Sequence, residues 1–272
     1  MKPKCSGPTY RGAVQAVILD WAGTAVDFGC MGPVAVFQEV FRQSGVEVSM
    51  GEARAPMGLM KKDHIRAICA MEPVAERWRS VHGTPPGDQD VDELYNRLQP
   101  LMVSALRRHC LPVPGLMDAV EAFRGQGLRI GSCTGYTGPM MEVLAAEAAT
   151  HGYRPDSIVC ATDVPAGRPY PWMCYLNAIR LQVYPLEAMV KIGDTVSDIQ
   201  EGLNAGMWTI GVTRTGNELG LTEEEVGRLE PAELRSRLAR IEERFRGAGA
   251  HFVAESIADC PPIIDEINRM IA

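Results

Sequence analysis

Five short runs rich in Val, Ile and Leu punctuate the chain: Val14 to Asp20, Leu128 to Thr134, Ser157 to Asp163, Met189 to Asp194 and Thr209 to Val212. They are largely continuous rather than alternating, the pattern of strands buried on both faces, and the stretches between them are long enough to hold helices. This predicts an α/β fold with a parallel sheet. Several runs end in a polar residue followed by a turn: Asp20 before Trp21-Ala22-Gly23-Thr24, Thr134 before Gly135, and Asp194 before Thr195. Polar groups thus gather at carboxyl ends of strands, where open α/β sheets place their ligands.

One region breaks the alternation. Between the first two runs lie about a hundred residues with helical periodicity, at Val34 to Ser44, Lys61 to Met71, Val74 to His82 and Val91 to His109. An inserted helical cap over residues 29–107 accounts for it, leaving 1–28 and 108–272 as the catalytic core. Gly29 and Pro33 mark the way in, Pro112 to Gly115 the way out, and Pro85-Pro86-Gly87 an internal turn. Further on, Thr222 followed three residues later by Glu225 predicts a capping box at a helix start.

Composition narrows the function classes. In 272 residues, 34 Asp and Glu outnumber 27 Lys and Arg, for a formal charge of −7, which argues against a nucleic-acid partner. No apolar stretch reaches the ~20 residues of a membrane span, and the polar start Met1-Lys2-Pro3-Lys4-Cys5-Ser6 leads into no signal-peptide core, so the chain reads as soluble and cytoplasmic, with no membrane partner. The eight cysteines include no Cys-x-x-Cys pair, which makes reduced thiols the default.

The strongest chemical signal is Val17-Ile18-Leu19-Asp20-Trp21-Ala22-Gly23-Thr24, a buried-type strand that delivers a carboxylate into a glycine turn. A carboxylate so placed can attack phosphorus or hold a metal. Asp194 and Asp198 end a later strand, in a pattern of hard oxygen donors that suits Mg²⁺ bound with a phosphate. Thr134 ends another, and Arg168 sits in a Gly/Pro-rich loop where a cation could hold a phosphoryl oxygen.

These four sites, in this order, resemble the motifs of the haloacid dehalogenase superfamily of phosphoryl-transfer enzymes. The resemblance implies a doubly wound parallel sheet core in which Asp20 forms an aspartyl phosphate and Thr134 and Arg168 bind phosphate. It also implies that Asp194, with Asp198 nearby, joins Asp20 and the Ala22 carbonyl on Mg²⁺. Phosphatases of the superfamily carry a second Asp two positions after the nucleophile, which protonates the leaving oxygen, and here that position is Ala22. A leaving carbon would need an electron sink instead, and a lysine imine on an adjacent carbonyl is one.

The cap offers Met57-Gly58-Leu59-Met60-Lys61-Lys62-Asp63-His64. In a helix starting just after Gly58, Lys61 shares a face with His64, Ile65 and Ile68, while Lys62 points elsewhere with Arg66. Lys61 is therefore the half-buried amine, and an apolar site with a cationic neighbour favours its neutral, nucleophilic form. Together with Thr134-Gly135-Tyr136-Thr137 and Pro165-Ala166-Gly167-Arg168-Pro169, these segments resemble the phosphonatase branch of the superfamily over nearly the whole chain. That resemblance implies Mg²⁺-dependent hydrolysis of the P–C bond of a small phosphonate aldehyde, an imine on Lys61, and a homodimer formed through the cap. It puts His64 and Met57 among the catalytic residues and Gly135, Tyr136 and Cys30 at the substrate. A phosphate-ester phosphatase or phosphomutase of the same superfamily is the alternative. The chain departs from the branch at Ala25, Cys133 and Lys62, and the Lys61-Lys62 pair leaves open which amine reacts.

Overall fold

The computed structural model describes residues 10–272; Cys5 and the polar start Met1 to Ser6 lie outside the described residues. The fully buried strand β1 (Ala16–Leu19) leads into five helices: α1 (Met31–Arg42), α2 (Met50–Arg54), α3 (Lys61–Cys69), α4 (Glu72–His82) and α5 (Asp88–Leu106). There follow α6 (Leu116–Gly125), β2 (Arg129–Thr134), α7 (Gly138–Thr150), β3 (Ser157–Cys160), α8 (Trp172–Leu181), β4 (Met189–Gly193), α9 (Val196–Ala205) and β5 (Trp208–Val212). The chain closes with α10 (Glu223–Arg228), α11 (Pro231–Gly247), β6 (Phe252–Ala254) and α12 (Cys260–Ile271).

All five predicted strands form, within one parallel sheet of order β3-β2-β1-β4-β5-β6. The order reverses at β1, so the crevice of this doubly wound sheet opens between the carboxyl ends of β1 and β4. Asp20 and Asp194 emerge there. Among the elements that the sequence pattern does not announce are β6 and α2. β6 is only three residues long, and α2 is a five-residue helix held by a capping box between Ser49 and Glu52, each too short to show a period. The capping box of Thr222 and Glu225 does form, with Glu225 N–H donating to Thr222 Oγ1 at 3.2 Å.

The helical insertion packs α1 and α3 against the long α5. Its two connecting segments run side by side. Val26 bridges Pro112 in antiparallel fashion, Val113 N–H donates to the Ala25 carbonyl at 3.0 Å, and Asp27 N–H to that of Leu111 at 3.1 Å. The Asp27 carboxylate accepts from the N–H groups of Met31 and Gly32 at the start of α1 and meets His109 Nδ1 at 3.0 Å, fastening both connections at one point. No helix among the described residues is long and apolar enough to cross a membrane, and the seven described cysteines are free and buried.

The sheet is buried on both faces. Val17 and Leu19 join the larger core on one side, while Ile18 packs into a second cluster with Cys133, Met173, Cys174 and Leu181 on the other. Truncating Ile18 to Ala should leave a cavity in the middle of the sheet and cost ~2–5 kcal/mol, seen as a lower urea midpoint. An unchanged midpoint would mean that the second cluster collapses around the loss.

Candidate active site

The turn after β1 is fixed before any side chain acts. Asp20 N–H donates to the Ile192 carbonyl of β4 at 2.9 Å, and Trp21 is anchored through its indole N–H on Ser132 Oγ at 2.9 Å. Gly23 then takes φ +83°, and a Cβ there would run into the Cys30 sulfur and the Asp194 carboxylate. The turn can therefore lie flat on the end of β4 only with glycine at this place.

Arg168 is the hub, although its side chain is almost wholly buried. Its Nη2 donates to Asp20 Oδ1 at 2.6 Å and to the Cys133 carbonyl at 2.9 Å, and lies 3.0 Å from Asp198 Oδ1. Its Nε donates to Glu201 Oε2 at 2.9 Å, and its Nη1 reaches the Gly58 carbonyl at 3.3 Å. Lys191, buried in β4, donates to Asp198 Oδ1 at 2.5 Å. Neither Glu201 nor Lys191 was expected at the site. A lysine inside the apolar run Met189 to Asp194, and a glutamate three residues beyond Asp198 on the same helix face, were the available signals.

The carboxylates differ in electrostatic setting. Burial, with the charge of Asp198 adding, pushes Asp20 above the usual carboxylate range despite the opposing guanidinium of Arg168. Asp194 lies well above that range through burial and the charges of Asp20 and Asp198. Asp198 goes the other way: against burial, Arg168 and Lys191 hold it low.

Carboxylate oxygens of Asp20, Asp194 and Asp198 lie within 4.8 Å of one another. Such a set of hard donors, two of them held high chiefly by burial, fits a divalent cation of the Mg²⁺ kind. The three are not equivalent as ligands. Oδ1 of Asp198 is taken by Lys191 and Arg168, and Oδ2 by Thr195, so direct coordination would displace protein donors. Asp20 is engaged at Oδ1 alone, and Asp194 accepts only from uncharged donors, Thr24, Cys30 and the Asn217 N–H.

The insertion closes over this floor. Met57, Gly58 and Lys61 come from it, and Thr134, Gly135 and Tyr136 from the end of β2; with Asp20, Ala22, Arg168 and Asp194 they surround a cavity of about 20 Å³. That is room for about one water. Thr134 Oγ1 accepts from Tyr136 N–H at 3.1 Å. Lys61 opens α3, and its ammonium lies 4.5 Å from the centre of the Tyr136 ring and 5.6 Å from that of Phe37. Burial, partly offset by the Asp20 charge, lowers it from its ordinary value of 10.5 to about 8. Lys62 faces outward and pairs with Asp92 of α5.

Two residues that the resemblance names, Cys30 and His64, turn their side chains to other partners. Cys30 does not line the cavity; its thiol, pushed well up by burial and by the charge of Asp194, donates to Asp194 Oδ2 at 3.3 Å. His64 is fully buried, stacked on Phe37 with ring centres 3.8 Å apart, and donates through Nε2 to the Ala53 carbonyl at 2.8 Å. Burial and the Lys61 charge hold it well below its ordinary range, so it stays neutral and joins α2 to α3.

The geometry has close relatives. A model of the haloacid dehalogenase-like hydrolases matches residues 14–206. A phosphonoacetaldehyde hydrolase-like protein of Syntrophobacter fumaroxidans is 60% identical, over 97% of this chain and 95% of its own. A phosphonoacetaldehyde hydrolase of Nitratidesulfovibrio vulgaris is 56% identical, over 100% of this chain and 97% of its own. The crystal structure of a phosphonoacetaldehyde hydrolase-like protein from Oleispira antarctica superposes with a TM-score of 0.96 at 39% identity, covering 98% of this chain and 97% of that one.

The Lys61 environment has a pH signature. Between about pH 8 and 10.5 the unfolded chain still holds a proton that the folded chain has released, so this amine makes stability rise with pH across that window. Below the window the folded state carries a poorly solvated charge. Lys61→Met should therefore be more stable than the parent at pH 7 and should lose that part of the slope, read from urea midpoints at several pH values. Parallel curves for the two proteins would show that the amine is not desolvated.

Proposed function

The chain belongs to the haloacid dehalogenase-like hydrolases and, among them, to the phosphonoacetaldehyde hydrolases, and from that premise we propose how its residues divide the cleavage of a C–P bond. The substrate is phosphonoacetaldehyde and the products are acetaldehyde and phosphate. The observation that carries the reading is an amine lowered to about 8, enclosed in one small cavity with the Asp20 carboxylate and the Arg168 guanidinium.

Lys61 in its neutral form adds to the aldehyde carbon and expels water to give an imine, which is protonated at nitrogen. Asp20 then attacks phosphorus. As the P–C bond breaks, its electron pair moves into the C–N π system, leaving an enamine on Lys61 and the phosphoryl group on Asp20. The departing carbon thus needs no proton donor at the position of Ala22. Protonation of the enamine and hydrolysis free acetaldehyde, and a second water releases phosphate from Asp20.

Arg168 holds Asp20 through Nη2, so the attacking carboxylate is aimed before substrate arrives. Its Nη1, engaged only by the Gly58 carbonyl at 3.3 Å, is the donor free to take a phosphoryl oxygen, with Thr134 beside it. Asp20 and Asp194, with the Ala22 carbonyl, are the residues that would hold Mg²⁺, which supplies charge neutralisation for the phosphoryl oxygens. The helical insertion acts as a cap over this narrow space and moves aside to admit the substrate. Tyr136, Phe37 and Met57 make the enclosed half of the site apolar, and that keeps the amine of Lys61 releasable.

Incubation with phosphonoacetaldehyde and Mg²⁺ should release acetaldehyde, and borohydride added with substrate should inactivate the enzyme and label Lys61 in peptide maps. Lys61→Arg should lose turnover to background while still binding inorganic phosphate, and Lys62→Ala should turn over within about twofold of the parent. Label on Lys62, or turnover by Lys61→Arg, would overturn the assignment. Asp20→Ala should also be inactive, and turnover of p-nitrophenyl phosphate without borohydride trapping would favour a phosphate-ester phosphatase.

A further inference from the structure

Arg54, the last residue of α2, is 9% exposed and has no carboxylate among its hydrogen-bond partners. Its Nη1 donates to the Gly29 carbonyl at 2.7 Å and to Asn217 Oδ1 at 3.1 Å. Its Nη2 donates to the Gly220 carbonyl at 3.1 Å and contacts the Met31 sulfur at 3.2 Å. The loop after β5 is shaped to receive it. Gly220 has φ +63°, and a Cβ there would stand 2.8 Å from Arg54 Nε. A buried guanidinium held by neutral acceptors alone is a costly arrangement, and here it ties a helix of the insertion both to the core loop after β5 and to the start of the insertion at Gly29.

The same loop shapes the site floor. Asn217 returns the grip by donating from Nδ2 to the Arg54 carbonyl at 3.3 Å, and its main-chain N–H donates to Asp194 Oδ2 at 2.7 Å. That is the shortest of the three bonds on this carboxylate, ahead of Thr24 Oγ1 at 3.2 Å and the Cys30 thiol at 3.3 Å. We propose that Arg54 is a positioning residue: through Asn217 it fixes the orientation of the Asp194 carboxylate and so couples the seating of the helical insertion to cation affinity. The proposal rests on the reading that Asp194 holds the cation. By linkage the coupling is reciprocal, and a bound cation tightens the hold on α2 by the same factor.

The test is Mn²⁺ alone, titrated into the full-length chain, with free Mn²⁺ read by electron paramagnetic resonance. Arg54→Ala and Asn217→Ala should each weaken binding by ~10-fold, the scale on which outer partners of metal ligands act. The double variant should be little weaker than either, because one path is cut twice. Arg77→Ala removes another tie to α2, its bonds to Glu52 at 2.7 and 2.8 Å, and should bind as the parent does. Asp194→Asn should abolish binding. If Asp194→Asn fails while Arg54→Ala and Asn217→Ala bind normally, the relay is wrong and Arg54 is only a strap. If Asp194→Asn binds like the parent, the cation assignment beneath the relay falls instead. Should Arg54→Ala not fold, Asn217→Ala, which keeps the N–H to Asp194 but loses the grip on Arg54, decides the matter.

Discussion

Arg168 stands between three carboxylates that could not otherwise share a dry space. Burying an ionised carboxylate costs several kcal/mol, and Asp20, Asp198 and Glu201 all close on one guanidinium whose side chain is 1% exposed, with Lys191 neutralising the far side. The planar fork of arginine meets acceptors in several directions at once, which a lysine could not do. Asp198 and Glu201 are each held from two or more sides, and the guanidinium they fix in turn orients the Asp20 carboxylate. The carboxyl ends of β1 and β4 thereby form a preorganised electrostatic floor rather than a loose collection of acids.

Against that floor the insertion presents a charge treated in the opposite way. Lys61 is as deeply buried as Arg168, yet its nearest company is the faces of two aromatic rings. The same desolvation therefore has two outcomes. It is outweighed at Arg168, whose guanidinium is held well above its ordinary range, and it prevails at Lys61, whose amine can shed its proton near neutrality. One fold thus keeps a permanent cation and a switchable one on facing walls of the same cavity, and the difference comes from which partners each side chain meets.

Much of this was legible in the sequence because it is local. Buried parallel strands read as apolar runs, and the residue after each run must emerge at the sheet crevice, which is why Asp20, Thr134 and Asp194 could be placed without coordinates. Helical spacing likewise separated Lys61 from Lys62: the former faces the core with His64, Ile65 and Ile68, the latter faces Asp92. What the sequence concealed depends on distant partners. Glu201 and Lys191 look like ordinary residues of a helix and a strand until Arg168 is brought between them, and Arg54 and Asn217 lie 163 positions apart. The side-chain directions of Cys30 and His64 were hidden for a related reason: they follow from the left-handed backbone at Cys30 (φ 52°) and from the stacking of His64 on Phe37.

The paired connections at residues 25–27 and 111–113 carry a mechanical consequence. Two strands bonded edge to edge, and fastened again by Asp27 and His109, form a short ribbon. A ribbon flexes readily across its thin direction but resists stretching, shear and in-plane bending, since those would break the bonds between its edges. The seating of the helices it carries is thus tied to the registration of these two segments: bending across the thin direction leaves the bonds between the edges intact, and any other displacement breaks them.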